Sequence, residues 1–144
     1  MARLDNMIQK AYYVLENILS ERSDMFEIIM WEDENGDSPV DEFLDELKQN
    51  DIKLYVKTMR NIGLLESSGN MLGMPFSKYL KDGIFELRTT QGNNNSRLFY
   101  FFEKNRVVII DHAILKKTRK TPNLDMQLAI ERKVSYERRH QDDL

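Results

Sequence analysis

Apolar side chains recur along this chain with two periods, and the switches between them divide it into elements. Ile8, Tyr12, Leu15 and Leu19 recur at spacings of four, three and four, which predicts a helix over residues 6–22 with one apolar stripe. The run Phe26 to Trp31 is short and apolar on both faces, as suits a central strand. An acidic loop, 32–37, leads to Ser38 and Pro39. A hydroxyl cap, a proline at the first position and Asp41 in the first turn all suit the unpaired amides of a helix start. Phe43, Leu44 and Leu47 supply that helix's apolar face. After the polar break at 48–50, Asp51 can cap a second helix carrying Ile52, Tyr55, Val56, Met59, Ile62 and Leu65. The short break predicts an antiparallel helical pair.

Residues 67–70 break the chain again, and Gly73 to Pro75 enter a loop that ends at Asp82 and Gly83. Alternation then predicts strands at 84–90, 97–103 and 106–115, separated by the hairpin signals at 92–95 and 104–105. Thr121 is the expected cap of a last helix, with Pro122 at its first position and Leu124, Leu128, Ile130 and Val134 along it to about Arg138. Residues 140–144 read as a frayed tail. The order is helix, strand, helical pair, three-strand meander, helix. That is an α+β domain, and 144 residues supply one core.

Composition narrows the chemistry. The chain has no cysteine and two histidines, which excludes disulfides and thiolate catalysis and leaves no convincing metal site. No apolar run approaches the roughly 18 residues that span a bilayer, and no secretory leader is evident. A cytoplasmic protein without a membrane partner is expected. The net charge of −3 conceals a division along the chain. Residues 1–65 carry seven Lys and Arg against fourteen Asp and Glu, whereas residues 75–120 carry ten against four. A basic block that coincides with the sheet is a candidate for meeting phosphate, although such blocks are as often solvated faces.

Within that block Glu86 and Arg88 project from one face of a strand, and Arg97 opens the next. The bland reading is an ion pair across the strands, worth little if exposed. Both arginines stand outside the apolar alternation, so their loss is expected to leave the domain folded. Lys116, Lys117, Arg119 and Lys120 follow the last strand and precede a helix N-terminus, itself an anion site. His112 lies inside an apolar strand, where a satisfied core histidine is the commoner outcome, and Asp111 beside it is expected on the opposite face. Phe99, Tyr100, Phe101 and Phe102 read as core before they read as base-stacking platforms. Tyr136 is either a helix-surface aromatic or a contact to substrate.

Three stretches carry a family resemblance: Gly83 to Arg88, Arg97 to Phe102, and His112 to Pro122 with its Lys-Lys-Thr-x-Lys-Thr-Pro pattern. Together with Pro75, Lys78 and Leu80 upstream, they resemble the phage-derived Gp49-like/HigB toxins of the RelE superfamily over residues 26–136. The resemblance implies a RelE-like fold over residues 25–139: a small antiparallel sheet joined by the N-terminal strand, a helical pair on one face and a C-terminal helix. It implies a ribosome-dependent mRNA endonuclease without cofactor or metal, paired with a cognate helix-turn-helix antitoxin. Arg88, Arg97 and Lys117 would neutralise the scissile phosphate, Glu86 would be a base, and His112 or Lys120 an acid. Lys116, Arg119, Lys120 and Tyr136 would hold RNA. Ser96 and Ile114 depart from the family, which has aromatics there, and base stacking beside Arg97 is in doubt. The rival reading is a non-catalytic RNA- or protein-binding module.

Residues 1–24 lie outside the resemblance. They read as an accessory helix, as a misplaced start with translation from Met25, or as an extension that packs on the domain. The apolar stripe favours packing and also admits a homodimer.

Overall fold

The computed structural model describes residues 2–116 and 121–141. Along them run α1 (Ala2–Ser23), β1 (Glu27–Met30), α2 (Pro39–Asn50), α3 (Ile52–Ser68), a single 3-10 turn at Gly69–Met71, β2 (Ser77–Lys81), β3 (Ile84–Gln91), β4 (Asn94–Glu103), β5 (Val107–Lys116) and α4 (Asn123–Arg139). The expected α+β order is present. The helical pair starts where its caps place it: Ser38 Oγ accepts the Asp41 amide at 3.3 Å. Asp51 closes α2 by donating its N–H to Leu47 O at 2.8 Å, and opens α3 by accepting the Leu54 amide at 3.2 Å.

Five strands form one sheet in the order β1-β5-β4-β3-β2, antiparallel except for β1 beside β5. Strand alternation gives each face its own core. Val40, Leu44, Ile62 and Leu65 of α2 and α3 meet Leu87, Leu98, Tyr100, Val108 and Ile110 on one face. On the other, Ala129 of α4 meets Ile84, Phe99, Phe101, Ile109 and Trp31. The arrangement agrees with the RelE-like fold. Gly69 is required at its turn, since its φ is +52° and a Cβ there would lie 2.0 Å from the Phe26 ring.

Four expectations are corrected. Residues 77–81, read as loop, form the edge strand β2. β1 is not central but an edge strand, and is apolar on both sides because helices cover both sheet faces, a demand independent of its place in the hydrogen-bonding order. Thr121 does not cap α4. Pro122 holds the cap position without a side-chain bond, and the Thr121 hydroxyl is used elsewhere. Finally, α1 does not pack on the domain: its side chains from Asp5 to Leu19 are all exposed, Tyr12 and Leu15 by 64% and 51%. Its junction with the domain is held by Arg106, which donates to Asp24 O at 2.6 Å, and by the Phe26 amide on Glu66 O. At the other end of the chain, His140 stacks on Tyr136 at 4.0 Å. No helix among the described residues is long and apolar enough to cross a membrane.

Candidate nucleic-acid interface

The α4 face of the sheet turns polar toward the β3–β4 hairpin. Period-two alternation puts Glu86 and Arg88 of β3 and Arg97 of β4 on this face, and the register sets Arg88 opposite Arg97. Glu86 is 1% exposed. Its Oε1 receives Arg97 Nη1 at 2.5 Å and faces Arg88 Nε at 3.5 Å, while Oε2 accepts the Thr121 hydroxyl at 2.5 Å. Lys78 on β2 stands directly across from Glu86. Lys116 closes the group from the end of β5 and feels the charges of Arg97, Glu86, Arg88 and Lys78. One carboxylate therefore pairs with two guanidinium groups, with two ammonium-bearing side chains near it.

Among the described residues, two donors in this group are buried without a partner, Lys116 Nζ and Arg97 Nε. Burial, aided by the charge of Arg97, holds the Lys116 ammonium below the usual lysine range. Taking an unpaired ammonium out of water is costly, and an anion at this point would remove the cost. The donors, forked guanidinium groups beside an ammonium, match the equatorial oxygens of a phosphate. This arrangement can neutralise charge. It offers fewer free groups for proton transfer, because both Glu86 oxygens are occupied.

The other expected residues are distributed as follows. Lys117, Arg119 and Lys120 lie outside the described residues. His112 shares the face and the row of Glu86, but Phe99 stands between them in register, so two strand spacings, roughly 9–10 Å, separate the pair. Its Nε2 is 2.8 Å from Asp125 Oδ1, and its ring stacks on Phe99 at 5.3 Å. Burial and the charge of Arg132 lower its pKa, partly opposed by Asp125. Tyr136 packs edge-on to Phe101 and against His140, toward the β1 side of the sheet. The structure thus joins Glu86, Arg88, Arg97 and Lys116, and leaves His112 and Tyr136 outside that group.

Asp111 also departs from the expected alternation. A bulge between Phe99 and Tyr100 in their pairing with β5 leaves Asp111 without a partner residue on β4. Arg132 on α4 acts on both neighbours, donating to Asp111 O at 2.7 Å and approaching His112 Nδ1 at 3.4 Å. The Asp111 carboxyl is fully buried, with no hydrogen-bond partner among the described residues, and burial pushes it up to about 8 against the pull of Arg132 and Lys133. Thr121 is the contact that sequence reasoning missed. The same hydroxyl that suggested a helix cap is the one that reaches Glu86.

No curated protein matches the chain. Residues 45–134, which are 90 of the 144 and include every residue of the Glu86 cluster, match the family model described as Phage derived protein Gp49-like (DUF891). Such membership is consistent with a toxin of a toxin–antitoxin pair. The protein belongs to the phage-derived Gp49-like family.

Proposed function

We propose that the protein is the toxin of a type II toxin–antitoxin pair and cleaves mRNA in the ribosomal A site, in the cytoplasm and without a metal. The observation that carries this reading is the buried Glu86 carboxylate ringed by Arg88, Arg97 and Thr121, with Lys116 beside it and without a partner among the described residues. In the reaction the RNA 2′-hydroxyl gives its proton to solvent water, both Glu86 oxygens being engaged, and bonds to the adjacent phosphorus. The bond from phosphorus to the 5′-oxygen breaks, and that oxygen takes up a proton. Arg88, Arg97 and Lys116 neutralise the charge that builds on the phosphorane. Glu86 holds the two guanidinium groups in place. Lys116, whose ammonium is made more acidic by burial, gives its proton to the leaving oxygen. Positioning of the RNA by the ribosome supplies the rest.

One observation favours a second reading. Both Glu86 oxygens and the His112 Nε2 are already hydrogen-bonded, as suits a binding module with no free base. Induced expression of the full chain separates the two. Growth arrest that is relieved by the product of a small neighbouring gene supports the toxin, and unimpaired growth supports the module.

A further inference from the structure

The cationic surface reaches beyond the Glu86 cluster, round the open edge of the sheet. β2 pairs with β3 only as far as Leu87, and the last bond of that edge is Arg88 N–H to Phe76 O at 2.7 Å. Past it, Thr89 and Thr90 border a cleft of about 240 Å³ whose opposite wall is Lys57 and Arg60 of α3 and whose floor includes Phe76. Arg88 lines this cleft as well as facing Glu86, so the two sites share a residue. Lys53, Lys57 and Arg60 recur at four and three on α3 and form one stripe. None of the three makes an ion pair among the described residues. Phe76 is 37% exposed beside these cations.

We propose that this cleft holds one nucleotide of single-stranded RNA next to the scissile phosphate, its base stacked on Phe76 and its phosphate held by Lys57 and Arg60. Unpaired cations beside a half-exposed aromatic ring are what a single strand needs: charge for its backbone and a flat platform for any base. The sequence hid this site, because Lys57 and Arg60 lie in the acidic half of the chain and meet Arg88 only through the fold. The inference rests on the RNA reading of the Glu86 cluster.

The test uses the full chain and a fluorescent 2′-O-methyl oligoribonucleotide, which lacks the attacking hydroxyl and stays intact. Anisotropy titrations across salt concentrations give the affinity and its salt slope. Lys57→Ala with Arg60→Ala should weaken binding about tenfold and flatten the slope by about 0.7, the loss of one neutralised phosphate. Phe76→Ala should weaken binding at every salt concentration without changing the slope, and Phe76→Trp should restore it. If the wild-type chain binds no RNA, the RNA reading of both sites falls. If Arg88→Ala loses binding while the α3 and Phe76 variants match the wild type, or if the α3 variants weaken only the complex with an antitoxin, this cleft alone is overturned.

Discussion

Arg97 Nη1 lies 2.5 Å from Glu86 Oε1 across the β3–β4 pairing, two residues off register, since Glu86 stands opposite Phe99 and Arg97 opposite Arg88. The arginine side chain is 6% exposed, so the expectation that its removal leaves the fold intact needs correction. Losing one partner of a buried pair strands the other, at about 3–5 kcal/mol. Arg88 is more exposed and its contact longer, 3.5 Å, and the loss of such a pair costs about 1 kcal/mol or less. Urea denaturation should therefore rank Arg97→Ala well below Arg88→Ala in stability, with Arg88→Ala near the wild type. The reverse ranking would contradict the geometry. Arg88→Ala is thus the variant that separates chemistry from folding.

Lys116 should trade stability for function. Its ammonium is buried with no partner among the described residues, so Lys116→Met removes a charge unsatisfied there and keeps the stem's packing. Replacing buried charge with an apolar side chain of similar volume commonly stabilises by about 1–4 kcal/mol. A higher melting temperature together with weaker RNA binding is expected. A lower melting temperature would show the ammonium to be stabilising where it stands.

Stability should also fall as pH rises from about 4 to about 8. The Asp111 carboxyl titrates from 3.8 in the ordinary case to about 8 in the fold. Between those values the folded chain holds a proton that the unfolded chain has released, so its contribution is full below about 4 and is lost as pH rises to about 8. His112 acts in the opposite sense. Its lowered folded pKa contributes stability above about 6.5 that is lost as pH falls through the folded value. Asp111→Asn should flatten the fall in melting temperature between about pH 4 and pH 8. An unchanged fall across that window would show that Asp111 is not the group responsible.

Removal of α1 should leave the domain's melting temperature within a few degrees of the full chain. Its described side chains from Asp5 to Leu19 are exposed, so they contribute little packing to the domain. A chain beginning at Met25, compared with the full chain by calorimetry and light scattering, checks this. A large drop in melting temperature at constant mass would mean that α1 docks on the domain in solution.

Much of this fold was legible because local signals and tertiary demands coincide in it. Ser38 and Asp51 cap the helices that they were expected to cap, and the alternation over 84–103 set Glu86, Arg88 and Arg97 on one face. β2 was missed because an edge strand covered on one side needs few apolar residues, and Ser77 to Lys81 carries two lysines. Asp111 was misplaced because a bulge interrupts the period on which the reading relied. The stripe of Lys53, Lys57 and Arg60 was visible as a spacing, but its meeting with Arg88 depends on where β2 ends, which no local pattern records.

The central claim is that the cationic group around Glu86 cuts mRNA on the ribosome. Its most direct test maps mRNA 5′ ends across the transcriptome within minutes of inducing the full chain, beside Arg88→Ala expressed to the same level. The account predicts new ends inside translated reading frames at a fixed position relative to the codon in the A site, present with the wild type and lost with Arg88→Ala. Growth arrest without new ends, or the same ends in both strains, would contradict it.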